Sequence, residues 1–89
     1  MPALFDSLTL RDITLRNRIG VSPMCQYSTS DGKATEWHLV HLGSRAIGGA
    51  GLVIVEATAV EARGRISAMD AGLWEDSQID SWRRVADFV

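Results

Sequence analysis

Hydrophobic positions change their period along the chain, and each change marks a predicted element. Leu8-Thr9-Leu10 and Ile13-Thr14-Leu15 alternate apolar with polar around Arg11-Asp12, which predicts a short hairpin. An apolar strand, Arg18 to Val21, follows and extends to residue 22, where Pro23, with no N–H to give a ladder, stops it. Ser28 to Ala34, holding Ser30-Asp31-Gly32, reads as a polar turn. Thr35 is placed to cap a helix running to about Ile47, and Gly48-Gly49 ends it. Leu52-Val53-Ile54-Val55 is an unbroken apolar run, the pattern of a parallel strand buried on both faces. From Ser77 onward Ile79, Trp82, Val85, Ala86 and Val89 recur with helical spacing. Ser77 and Asp80 stand in capping-box spacing, with Asp76 as the alternative cap.

Strand, helix, strand, helix is the order of an α/β protein with parallel strands, although two strands alone leave barrel and open sheet both open. In such proteins the loops leaving the C-terminal strand ends carry the site. Ser22-Pro23-Met24-Cys25-Gln26-Tyr27 is such a loop, with a thiol and a phenol two residues apart. A polarisable sulfur and a ring tipped by a hydroxyl suit a flat, redox-active aromatic cofactor. Read singly, Cys25 is a small buried hydrophobe and Tyr27 a ring covering the core; their place beyond Pro23 is what sets them apart.

Charge removes several function classes. Nine Lys and Arg against eleven Asp and Glu leave −2, with no like-charged run longer than Arg83-Arg84, so no nucleic-acid partner is expected. The longest apolar run, Leu52 to Val55, falls far short of the ~20 residues of a membrane span, so no membrane partner is expected either. Asp6 comes too early for a signal peptide, and the single cysteine fits a reducing compartment, so the cytoplasm is the expected location.

Three features invite chemistry that their context argues against. Gly48-Gly49-Ala50-Gly51 ends a helix and enters a strand, the reverse of a phosphate loop, and is expected to be a turn. His38 and His41 can share a helix face, but no third ligand at metal spacing accompanies them, so no metal is assigned and both are expected to pack, hydrogen-bonded, against the sheet. Glu56 ends an apolar strand and needs a partner, for which Arg63 or Arg65 in the next loop is expected to form a structural ion pair. Trp37, Trp74 and Trp82 are expected to be packing residues.

Asn17-Arg18-Ile19, Ser22-Pro23-Met24-Cys25-Gln26-Tyr27, Trp37-His38-Leu39-Val40-His41, Gly51-Leu52-Val53-Ile54-Val55-Glu56-Ala57 and Gly64-Arg65-Ile66 together resemble the opening of an old yellow enzyme, in the bacterial branch with a cysteine beside the flavin. The blocks run in family order from Leu4 to about Trp82. The resemblance implies the N-terminal portion of a (β/α)8 TIM barrel preceded by a β-hairpin that plugs the barrel floor. Such a barrel needs about 250 residues, so residues 1–89 are expected to be the N-terminal part of a single FMN-binding domain; a last helix without a cap agrees.

The activity the resemblance implies is a two-stage, ping-pong relay: NADPH or NADH reduces FMN, and an α,β-unsaturated carbonyl or nitro compound then takes the hydride. By the same resemblance Ser22, Pro23, Met24, Cys25 and Ala57 hold FMN, mostly through backbone groups, Cys25 tunes its potential, and Tyr27 touches the substrate. The oxygen-binding His/Asn pair, the tyrosine acid and the phosphate-gripping arginines belong to later strands, so the 89 residues alone are expected to be inactive and the full-length protein a homo-oligomer. Other readings share these residues: a dienoyl-CoA-reductase-like barrel with an iron–sulfur domain, a non-catalytic remnant serving as an interaction module, or a small structural α/β domain.

Overall fold

The computed structural model describes residues 2–89. Strands β1 (Leu8–Leu10) and β2 (Ile13–Leu15) form the expected antiparallel hairpin, Leu8 opposite Leu15 and Leu10 opposite Ile13. Strand β3 (Gly20–Val21) pairs in parallel with β4 (Leu52–Val53), and helix α1 (Glu36–Ile47) is the crossover between them. Helix α2 (Ile79–Phe88) packs beside α1, where a Cβ on Gly43 would lie 2.7 Å from the Phe88 ring, and an exposed Glu36–Arg84 ion pair joins the two helices.

Both predicted parallel strands are shorter than their apolar runs. The ladder opens with Ile19 accepting from the Gly51 and Leu52 amides and closes with Ile54 donating to Val21, because Pro23 has no amide to carry it on. Leu52–Val55 is also not buried on both faces: Leu52, Ile54 and Val55 each keep about two-fifths or more of their surface exposed. A parallel strand is covered on both faces only when further strands and helices surround it. One partner strand and one helix layer do not suffice.

A second parallel pair escaped the sequence pattern. Strands β5 (Thr58–Ala59) and β6 (Ala71–Gly72) are two residues each, too short for any period to register. Asp70 closes the loop before β6, accepting from Ile66 N at 2.6 Å and Ser67 Oγ at 3.0 Å.

The capping of α2 also differs from expectation. A 3-10 turn, Asp76–Gln78, leads into the helix, and the boxed residues are Glu75 and Gln78 rather than Ser77 with Asp80 or Asp76. Gln78 wins because its amide serves three backbone groups at once: Oε1 accepts from Trp74 N (2.7 Å) and Glu75 N (3.2 Å), and Nε2 donates to Asp31 O (3.1 Å). At α1, His38 reaches back to the Thr35 amide at 2.9 Å.

The α1–β4 turn is built as expected. Gly49 has φ 103°, and the amides of Gly49 and Ala50 bond back to Ala46 and Arg45, the pattern of a Schellman close. Asn17 locks it from below, donating to Gly49 O at 2.7 Å. The buried set is mostly polar: Leu42, Ala71 and Val85 are its fully buried apolar members, against Asn17, Thr29, His38, His41, Glu56, Asp70 and Gln78.

Candidate functional site

β3 and β4 are parallel, so the segments following them, residues 22–28 and 54–57, leave the same edge of the sheet. None of the backbone groups of residues 22–28 bonds to other backbone. Ser22, Pro23, Met24, Tyr27 and Ala57 are exposed there, and Cys25 is half-buried with its thiol unpaired. The six predicted site residues therefore share one ledge. It is exposed: the surface grooves lined by Thr14, Arg16, Ala50 and Gly51 at the opposite edge, or by Leu42, Val53 and Val85 between sheet and helices, include none of them.

Side chains hold the ledge in shape. Gln26 Nε2 donates to Met24 O (2.8 Å), Trp37 Nε1 donates to Gln26 Oε1 (2.8 Å), and Ser28 Oγ donates to Gln26 O (2.8 Å). Thr35 Oγ1 donates to Ser28 O at 3.2 Å, tying the segment to the start of α1. Between Gln26 and Ser28, Tyr27 sits at φ 52°. A left-handed backbone costs a non-glycine residue about 1–2 kcal/mol, comparable with what two such exposed hydrogen bonds return. At the next turn Asp31 (φ 51°) and Gly32 (φ 77°) make a type I′ turn, with Ser30 and Lys33 bonded to each other in both directions.

Beneath the ledge lies a buried pair. His38 Nε2 stands 3.4 Å from Glu56 Oε2, and both side chains are almost wholly shielded. The Thr35 amide can only donate, so His38 Nδ1 must keep its lone pair, and the neutral ring carries its proton on Nε2, toward Glu56. At 3.4 Å this is a long contact, and His38 Nε2 and Glu56 Oε1 lack an ordinary hydrogen-bond partner. Burial, with the neighbouring His41 second, pushes the His38 pKa down. Burial pushes Glu56 up, the Gln26 backbone amide opposes this, and Asp70 reinforces it. His41 is lowered by burial and by Arg45.

Glu56 therefore does not pair with Arg63 or Arg65. Arg63 meets Glu61 at 2.6 Å in solvent, and Arg65 donates to Ala62 O at 2.8 Å with its guanidinium 5.1 Å from the centre of the Trp74 ring. Loop arginines lie nearer in sequence, but the crossover helix delivers His38 from the other side of the strand.

Trp82 donates to the carbonyls of Gly32 and Gly72, both at 3.2 Å, and its ring meets His38 edge-on at 5.3 Å. Trp37 is half-exposed, stacked on His41 at 5.8 Å, and does more than pack, since it also holds Gln26. Thr29, Asp70 and Gln78 were missed by sequence reasoning. Thr29 Oγ1 contacts Met69 O and Asp70 O at 2.7 and 2.8 Å, joining residues some forty positions apart, which no local pattern signals. Among the described residues no three His, Cys, Asp or Glu side chains converge at metal spacing, and no helix is long and apolar enough to cross a membrane.

Parallel strands joined by a crossover helix, behind an N-terminal hairpin, suit the start of a barrel, and residues 3–89 match the NADH:flavin oxidoreductase / NADH oxidase family; the chain belongs to that family, whose cofactor is FMN. It is 52% identical over 97% of its length to the NADPH dehydrogenase of Geobacillus sp. (strain WCH70), and 54% identical over 98% to that of Listeria monocytogenes serotype 4a. It spans 26% of each relative, about a quarter of their length. Among solved structures it superposes on morphinone reductase with a TM-score of 0.89 (32% identity, 98% of this chain, 23% of that one) and on the old yellow enzyme from Trypanosoma cruzi at 0.85 (35% identity, 96% and 23%). The fold is accordingly the opening portion of a TIM barrel of the old yellow enzyme type.

Proposed function

We propose that residues 1–89 are the N-terminal part of a single FMN-binding barrel domain, in an enzyme that moves a hydride from NADPH or NADH to the activated C=C bond of an α,β-unsaturated carbonyl or nitro compound. The observation that carries this is the ledge: a thiol, a phenol and a run of backbone groups free of other backbone, all on the outgoing edge of β3 and β4. Relatives named NADPH dehydrogenase, and the structure of morphinone reductase in complex with tetrahydroNAD, support the nicotinamide donor.

FMN fits these residues. The free amides of Ser22, Met24 and Cys25 and the Pro23 carbonyl can meet the polar rim of a flavin, and Ala57 adds no bulk where a flat ring must approach. Bound there, FMN supplies two-electron chemistry that no side chain has. Cys25 then places a soft sulfur at the ring and adjusts the ease of its reduction. Tyr27, half in solvent, has its hydroxyl free to touch the substrate from this wall of the site.

Visible-absorbance titration with FMN tests the reading. The full-length protein is expected to bind FMN stoichiometrically, while the 89-residue chain alone, carrying one wall of the site, is not. Replacing Cys25 by Ala in the full-length protein is expected to shift the flavin potential and turnover without abolishing either half-reaction. Tight stoichiometric binding by the 89 residues, or an unchanged potential in the variant, would overturn it.

A further inference from the structure

Cys25 and Tyr27 flank Gln26, and in a segment with no backbone–backbone hydrogen bonds Gln26 is fixed from every side. Its side-chain nitrogen holds Met24 O, its side-chain oxygen takes the Trp37 indole proton, and its carbonyl takes the Ser28 hydroxyl proton, each at 2.8 Å. The Ser28–Gln26 bond spans Tyr27, whose φ of 52° persists only where the surroundings impose it. The outer end of this chain is rigid, because Trp37 sits in the first turn of α1 with its ring stacked on His41.

We propose that Gln26 is a positioning residue, held by Trp37, that fixes the Tyr27 ring over the substrate and the Cys25 sulfur at the flavin. The helix, through the Trp37 indole N–H alongside the Thr35 hydroxyl at its start, thus sets the geometry of a loop that has no secondary structure of its own. This rests on the flavin-site reading above, and the controls below separate the two.

The experiment uses the full-length FMN-loaded enzyme and two variants. Trp37→Phe keeps a ring on His41 and deletes only the donor; Gln26→Leu keeps the bulk and deletes the amide. Trp37→Phe is expected to raise KM for 2-cyclohexenone about fivefold, the effect of one lost hydrogen bond, and Gln26→Leu, which also loses the bond to Met24 O, at least as much, with kcat little changed. The double variant is expected to be no worse than Gln26→Leu alone, since that variant already removes the Trp37 link along with the one to Met24 O. In the crystal structure of Trp37→Phe, Tyr27 is expected to leave the left-handed region. An unmoved Tyr27 with unchanged KM in both variants, alongside a raised KM in Tyr27→Phe, would overturn the proposal. If instead Tyr27→Phe leaves KM unchanged and Cys25→Ala leaves the potential unchanged, the flavin-site reading falls, and the Tyr27 torsion still decides whether Gln26 positions its neighbour.

Discussion

At the scale of single residues, the His38–Glu56 pair makes stability depend on pH. Glu56 starts from an ordinary value of 4.5 and is pushed up by burial, so above pH 4.5 the unfolded carboxyl ionises while the folded one resists, and stability falls until the folded group ionises too. His38 starts from 6.5 and is pushed down, so below pH 6.5 the unfolded ring takes a proton that the folded ring, with Nδ1 committed to the Thr35 amide, refuses. Between 4.5 and 6.5 both groups therefore work against the fold. Glu56→Gln should remove the first contribution: in urea unfolding of the full-length protein its midpoint should match the parent's below pH 4.5 and rise above it as pH increases. A gap that stays flat across that range would mean that Glu56 ionises in place without cost.

At the scale of elements, the turn from α1 into β4 shows which glycines are required. Gly51 faces Asn17 so closely that a Cβ would come within 2.6 Å of the Asn17 carbonyl oxygen, and backbone cannot swing aside as a side chain can. Gly51→Ala should cost about 1–3 kcal/mol, the usual price of overpacking. Gly48 has φ −67° and meets nothing nearer than 3.3 Å, so Gly48→Ala should fall within about 1 kcal/mol of neutral and serves as the control. Thermal unfolding of both variants in the full-length protein checks the contrast; equal losses would show that glycine flexibility rather than the Asn17 contact sets the requirement.

At the scale of the molecule, apolar surface outruns apolar core. The radius of gyration is 14.5 Å, against about 12 Å for a compact domain of this length. Leu52 on β4 with Ile54 and Val55 just beyond it, Leu10 and Ile13 on the hairpin, and Val40, Ile47 and Phe88 on the helices are all exposed. Patches of this kind are sites for other protein surface. The 89-residue chain studied alone should therefore bind a hydrophobic dye such as ANS strongly and aggregate, whereas the full-length protein should bind the dye weakly and stay in solution as a defined species. A monomeric chain with a cooperative melt and no dye binding would show that these 89 residues are a domain in their own right.

How much of this was legible without coordinates follows from the range of the forces involved. The hairpin, α1, the turn at Gly48-Gly49 and the end of the first parallel strand at Pro23 could be read directly, because each depends on local periodicity, a missing amide or a permitted φ within a few residues. The kinship could be read too, since its blocks lie in order along the chain. Tertiary structure alone decided that Glu56 faces His38 rather than an arginine, that Gln78 and not Ser77 opens α2, and that Thr29 meets Asp70. Such polar groups are satisfied by whichever partner the fold brings within 3 Å, and that partner is drawn from anywhere in the chain. Folding also set the true lengths of the strands, because a ladder ends where its neighbour ends, whatever the apolar run beside it promises.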